Sequence, residues 1–391
     1  MRRGADCPTT RAGGTLQQGA SGSRTARENN VFAGGPAEGD APRFPQQVEK
    51  DGPRPTGGGP CVMTHNPSKE YGMSSVQTAI LFPGQGAQAS GMGRRLAEAS
   101  ADIMDLWKKA ESVSGLPLRE IYWESEDATL MAETRNLQPA ITVVNLALWM
   151  SVADRLSPAC AAGHSLGEFS ALAAARVLPM DKVLELVTLR GRLMADVDPE
   201  HIGTMCAMIR LSQEQVETVA REVSESTGKL VRVANKNTPL QFVLSGHREA
   251  VEAAAERLKA ENPRAKGFPL AVSGAFHTPM MAEASAEFSK LLDKQDWHDA
   301  AFPIYFNING EPLSDAESIH SAMRRQMTSS VCWVDTISNQ WRDGVRRWVE
   351  FGPQGVLTRM VRPILVAADV ADGSYTTVHI PNKDAVDAFE G

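Results

Sequence analysis

Ser165 stands at the centre of Gly163-His164-Ser165-Leu166-Gly167, a GxSxG pentapeptide placed where a short strand of small residues meets an Ala-rich helix. This is the arrangement of a nucleophile elbow. A tight strand-to-helix turn leaves no room for side chains at the flanks, so glycines bracket the serine and its Oγ is held clear of the backbone at a helix N-terminus. A serine presented in this way needs a base. His164 is expected to be structural, because neighbouring side chains on a sharp turn diverge. His277 is the better candidate: in Gly274-Ala275-Phe276-His277-Thr278-Pro279 it falls on a loop ahead of a helix that Thr278 can cap and Pro279 open. A third piece, Pro83-Gly84-Gln85-Gly86-Ala87-Gln88, is a Gly-rich loop that exposes backbone N–H groups. It lacks the Walker spacing and its lysine, so an anion hole at a strand end fits better than a nucleotide cradle. Together these are parts for acyl transfer through a covalent serine. GxSxG also occurs in serine hydrolases of the α/β-hydrolase type, so the pattern alone leaves hydrolysis open.

The elements that must position these residues follow from periodicity. Thr78 to Phe82 reads as an apolar strand feeding the Gly-rich loop. Helical spacing recurs in Leu96, Ile103, Leu106 and Ala110, closing near Gly115, and again from Pro139 through Ile141, Val144, Leu148, Val152 and Leu156 into the elbow strand at 158–162. Leu166 to Ala175 reads as the elbow helix, and Val183 to Met194 as a further helix carrying Arg190 and Arg192. From 205 the pattern changes to strand 205–209, helix 213–226, strands 230–234 and 241–245, helix 247–261 and strand 267–272, the helix 213–226 being opened by the capping box Ser212-x-x-Gln215. That βαββαβ order is a ferredoxin-like unit, inserted so as to wall one side of a cleft. Strands at Pro303 to Ile308 and Arg346 to Phe351 and a helix at Gly355 to Leu365 complete the pattern. The expected fold class is α/β: a large α/β-hydrolase-like domain (76–202 and 274–370) with a parallel sheet and nucleophile elbow, a ferredoxin-like small subdomain (203–273), and a tail (371–391) that shows no pattern.

Composition narrows the function classes. The 391 residues, 42% of them hydrophobic, suffice for a large core, and a formal net charge of −7 offers no basic field for a nucleic-acid backbone. No apolar run approaches the roughly 20 residues of a membrane span. Cys7, Cys61, Cys160, Cys206 and Cys332 are scattered without a CxxC pair, which suggests a reducing compartment and no metal site. Residues 1–75 are rich in Gly, Pro, Arg, Ser and Gln and lack apolar periodicity, so they are expected to be disordered. Two explanations stay open for them: an organellar transit peptide, or a start codon placed ahead of Met73. The expected location is accordingly the cytoplasm, or an organelle matrix if the extension is a transit peptide.

In combination, Leu81-Phe82-Pro83-Gly84-Gln85-Gly86, Gly163-His164-Ser165-Leu166-Gly167-Glu168, Arg190-Gly191-Arg192-Leu193-Met194 and Gly274-Ala275-Phe276-His277 resemble the malonyl-CoA:acyl carrier protein transacylases of fatty-acid synthesis. The resemblance runs from about residue 76 to 365. It implies Ser165 as the acylated nucleophile, His277 as its base, Arg190 as the ligand of the malonyl carboxylate, and the backbone N–H groups of Gln85 and Leu166 as the oxyanion hole. Asn235 and Asn237 would line the CoA channel, a turn role being the alternative. The implied substrates are malonyl-CoA and a phosphopantetheinylated acyl carrier protein, with no cofactor and no metal; a polyketide pathway is the alternative setting. Two positions depart from the family pattern. Cys332 stands near where the family has Gln or Asn, whose main-chain carbonyl orients the histidine, and Arg176 stands where a glycine commonly ends the elbow helix.

Overall fold

Strands from both ends of the described chain assemble into one sheet, and the elbow lies at its centre. The computed structural model describes residues 76–391 apart from 199 and 273, so the expectations for residues 1–75 lie outside the described residues. Strand β1 (Gln77–Phe82) lies between β2 (Cys160–Gly163) and a later strand, Val345–Phe351, both parallel to it. A register pairing Phe82 with Gly163 ends β1 and β2 side by side, so the loop after β1 and the turn after β2 emerge at the same edge of the sheet. The C-terminal edge of a parallel sheet is where α/β folds place their ligands. β1 and β2 are nearly continuous buried apolar runs, as strands covered by helices on both faces require.

A second, four-stranded sheet is built from β3 (Gly203–Ile209), β4 (Val231–Thr238), β5 (Gln241–His247) and β6 (Lys266–Pro269), with helices Gln213–Thr227 and Arg248–Glu261 between them. Its order is β4-β5-β3-β6 and every pairing is antiparallel. The period-2 alternation of β3 divides two cores: Met205 and Ala207 belong to the main apolar cluster, while Cys206 and Met208 belong to a second cluster under the two helices. The large sheet is completed by β7 (Ile304–Tyr305), β8 (Pro312–Leu313), β9 (Val345–Phe351) and β10 (Thr376–Ile380), giving the order β10-β9-β1-β2-β7-β8, parallel except for the β7–β8 pair.

The structure corrects several boundaries. Residues 371–391, expected as a tail, contain β10, which extends the sheet beside β9 through Thr376↔Arg347 to Ile380↔Phe351. Of the five residues of β10 only Ile380 is buried, so the segment shows little apolar signal. The helix expected from Pro139 spans Thr134–Met150, with the proline inside it. β4 continues past 234 to Thr238, with register shifts at Val233/Asn235 and Lys236/Thr238, and the irregular pairing breaks the alternation on which the shorter reading depended. β6 is shorter than 267–272, and β7 holds two residues of the expected 303–308.

Candidate active site

Crowding at the end of β2 explains the glycines of the elbow. A Cβ on Gly163 would lie 1.9 Å from the Gly167 carbonyl carbon, and one on Gly167 would lie 1.9 Å from the Phe82 carbonyl oxygen. Between them Ser165 adopts φ 50°, a left-handed conformation that costs on the order of 1–3 kcal/mol and must be held by its surroundings. Hydrogen bonds grip both sides of the residue. The Ser165 N–H donates to Asn307 Oδ1 (2.6 Å), and the Ser165 carbonyl accepts from Gln326 Nε2 (2.8 Å). Asn307 Nδ2 also donates to the Gly163 carbonyl at 2.6 Å, so one amide side chain clamps the elbow on both flanks.

His277 meets this serine from the other side. Its Nε2 lies 2.7 Å from Ser165 Oγ, and its Nδ1 faces the carbonyls of Ser329 (3.0 Å) and Gln326 (3.2 Å). Carbonyls accept only, so Nδ1 carries the proton and Nε2 presents its lone pair to the serine hydroxyl. His277 also has a positive φ, 61°, and is 4% exposed. Burial first, then the charge of Arg190, hold its pKa down at about 3, which keeps the ring neutral and able to accept a proton. The backbone of β4 braces the segment that holds the ring: Lys236 N–H donates to the Val331 carbonyl (2.9 Å) and Val331 N–H to the Ala234 carbonyl (2.8 Å).

Arg190 departs from the default of a solvated helical arginine. It is 1% exposed, on the helix Met180–Asp196, which packs on Thr134–Met150. A Cβ on Gly191 would sit 3.0 Å from the Thr134 carbonyl, so glycine there permits the close helix approach. The guanidinium donates to Gln138 Oε1 from Nη1 (2.8 Å), to Gln326 Oε1 from Nε (3.1 Å) and to Ser165 Oγ from Nη2 (3.2 Å), and lies over the Phe169 ring. A guanidinium has five N–H donors, so two remain uncommitted among the described residues. Burial lowers its pKa to about 10, which leaves it charged at neutral pH, and nearby Glu168 opposes the shift. Arg192, two residues on, is exposed.

The loop after β1 closes the site. A Cβ on Gly84 would lie 2.6 Å from the His164 carbonyl, so the loop touches the elbow, and Thr134 Oγ1 donates to Gln85 Oε1 at 3.3 Å. Neither the Gln85 nor the Leu166 N–H donates to another described residue. His164 is buried and its Nε2 meets Asn237 Oδ1 at 2.9 Å, a structural contact. Asn237, 0% exposed, thus joins the second sheet to the elbow, while Asn235, 6% exposed, is bridged to Val331.

The expectation about Cys332 is corrected. The carbonyls that face His277 belong to Gln326 and Ser329, while the Cys332 N–H donates to the Asn307 carbonyl at 2.7 Å and its residue precedes the helix Trp333–Arg342. Arg176 does adopt the left-handed conformation, φ 61°, at the end of the elbow helix. Gln138, Glu168, Asn307 and Gln326 complete the site and were not assigned from sequence. Glu168 alone left a signal, as the one charged residue in the otherwise apolar stretch Leu166 to Ala175. Among the described residues no group of three His, Cys, Asp or Glu side chains stands ready to hold a metal ion. No helix among them is long and apolar enough to cross a membrane.

Residues 80–390 match the acyl transferase domain family. A malonyl CoA-acyl carrier protein transacylase of Staphylococcus aureus (strain MRSA252) is 35% identical over 290 residues, covering 74% of this chain and 92% of that protein. The crystal structure of an acyl carrier protein S-malonyltransferase from Vibrio cholerae superposes with a TM-score of 0.73 at 31% identity, over 80% of this chain and 99% of its own. A malonyl-transacylase solved in complex with its type II PKS acyl-carrier protein gives 0.73 and 31%, over 80% and 98%. With this identity and coverage, the chain belongs to the malonyl CoA-acyl carrier protein transacylases of the acyl transferase family.

Proposed function

We propose that the protein transfers the malonyl group of malonyl-CoA to the pantetheine thiol of an acyl carrier protein, through a malonyl-Ser165 ester, in support of fatty-acid synthesis. The observation that carries this reading is the buried Arg190 guanidinium 3.2 Å from a serine that is itself 2.7 Å from a neutral imidazole. In the first half-reaction Ser165 Oγ attacks the thioester carbonyl while His277 Nε2 takes its proton. The oxyanion rests on the Gln85 and Leu166 N–H groups, the C–S bond breaks, and the CoA sulfur leaves and receives the proton. In the second, the carrier thiol attacks the ester, His277 takes the thiol proton, and the same proton returns to Ser165 Oγ as the C–O bond breaks. A thiol has a pKa near about 8.5, so the leaving group needs little acid assistance, and a histidine held by carbonyls suffices where amide cleavage calls for a carboxylate partner.

The fold reading that accompanies this is an α/β-hydrolase-like large domain, 76–202 and 274–370 with 371–391 added to it, and a ferredoxin-like subdomain at 203–273. Support for the latter comes from βαββαβ connectivity with β3 central and β6 and β4 at the edges. A cytoplasmic setting accords with Cys160, Cys206 and Cys332 as free thiols. The testing experiment is intact-protein mass spectrometry after mixing with malonyl-CoA. One malonyl group should add to the wild type and none to Ser165→Ala; an adduct mapped to another residue would overturn the assignment.

A further inference from the structure

Glu168 is 0% exposed, one residue into the elbow helix Gly167–Ala174, and no step of the transfer uses it. A carboxylate so buried is unfavourable unless both oxygens are satisfied. Both are: Oε1 accepts from the Asn307 backbone N–H and Oε2 from Gln326 Nε2, each at 2.7 Å. These are the two residues that grip the elbow. Asn307 holds the Ser165 N–H and the Gly163 carbonyl, and Gln326 holds the Ser165 carbonyl, Arg190 and, through its main chain, His277. The Gln326 amide lies between carboxylate and guanidinium, with its NH₂ toward Glu168 and its oxygen toward Arg190 Nε.

We propose that Glu168 is a positioning residue that fixes the direction of the Gln326 amide and, through it, the orientation of the Arg190 fork toward the malonyl carboxylate. An amide is donor at one end and acceptor at the other, so the orientation is decided by what it faces. Burial raises the Glu168 pKa to about 7; ionised above that, the carboxylate is acceptor-only and demands the NH₂, which leaves the oxygen for a donor-only guanidinium. Turned over, the amide would set oxygen against carboxylate and NH₂ against N–H. The Ser165 carbonyl makes the same demand on the NH₂, so the isosteric Glu168→Gln removes the half made at 168. The Asn307 backbone N–H cannot turn, so it takes the oxygen of the amide introduced at 168, whose NH₂ then opposes the NH₂ of Gln326. Relief requires the Gln326 NH₂ to withdraw from 168 toward the Ser165 carbonyl, and that shift moves the oxygen that Arg190 Nε holds. The proposal rests on the reading of Arg190 as the malonyl ligand.

The test is single-turnover acylation with malonyl-CoA and acetyl-CoA. Glu168→Gln should lower the malonyl-to-acetyl rate ratio about tenfold or more, the worth of a displaced charge-assisted hydrogen bond. A purely structural role would lower both substrates together. The double variant Glu168→Gln/Arg190→Ala should show a ratio no lower than Arg190→Ala. Gln326→Met removes the amide through which Glu168 acts and should lower the ratio as far, which keeps the test alive if Glu168→Gln fails to fold. A folded Glu168→Gln, or a folded Gln326→Met, with the wild-type ratio overturns the proposal. If wild type forms no malonyl-Ser165, or Arg190→Ala leaves the ratio unchanged, the reading of the site fails instead.

Discussion

Replacing Arg190 by alanine should convert a malonyl-selective site into one that prefers uncharged acyl groups. The magnitude follows from the donor count. Gln326, Gln138 and Ser165 each take one N–H of the guanidinium, and the two that remain can meet a carboxylate with parallel hydrogen bonds. Each bond to a charged group contributes about 1.5–3 kcal/mol, so losing two lowers malonyl acylation by on the order of 10²–10⁴-fold. Truncation also leaves Gln138 Oε1 and Gln326 Oε1 without a donor and removes a contact to Ser165 Oγ, which would slow every substrate. The decisive quantity is therefore the ratio of malonyl-CoA to acetyl-CoA acylation rates by quenched-flow mass spectrometry, because losses common to both cancel. That ratio should fall at least about 10²-fold in Arg190→Ala. Arg192→Ala is the control, since Arg192 is exposed on the same helix, and its ratio should stay near wild type. Equal losses for both substrates in Arg190→Ala would show that the arginine only shapes the elbow, and the malonyl assignment would lose its physical support.

His277→Gln should slow acylation by roughly 10²–10⁴-fold with folding preserved, read in the same assay. The same pair tests the electrostatics. His277 is held neutral down to about 3, whereas an unfolded histidine takes a proton below about 6.5, so the unfolded chain binds more protons in that window and wild-type stability falls as pH falls through it. Relative to His277→Gln, wild type should lose about 1.4 kcal/mol per pH unit below 6.5 in urea unfolding, and parallel curves would refute the buried neutral ring. The raised Glu168 pKa acts in the opposite direction but is common to both proteins. Arg176→Gly should stabilise by about 1 kcal/mol, raising the thermal midpoint by about 2 °C without changing transfer rates; an unchanged or lower midpoint would contradict the strain read from φ 61°.

Local signals carried the parts of this site that sequence could reveal. The elbow was legible because its requirement is steric and contiguous: Gly163 and Gly167 are fixed by contacts within one turn and with the adjacent Phe82 carbonyl. The βαββαβ insert was legible because two periodicities alternate within one stretch. Arg190 was legible only through family resemblance, since a helical arginine carries no local mark of burial, whereas His277 stood out by its loop ahead of a helix that Thr278 caps. β10 was not legible, because only Ile380 in it is buried, and Asn235 and Asn237, expected to line the CoA channel or form a turn, lie on a bulged strand.

The polar frame was invisible for a different reason. Gln138, Glu168, Asn307 and Gln326 lie on four separate segments, and each acts through the direction of its hydrogen bonds, a property that residue type does not encode. An amide in sequence is donor and acceptor at once; only its neighbours decide which end does what. Here the decision propagates from acceptor-only Glu168, through Gln326, to donor-only Arg190, while backbone carbonyls settle the His277 tautomer in the same way. The strained Ser165 is held by that frame, while the base is neutral because it is buried beside the Arg190 charge. Substituting one of its members by an isostere of reversed polarity should therefore disturb chemistry more than substituting a nearby apolar residue of equal volume, even though neither change touches the reacting atoms.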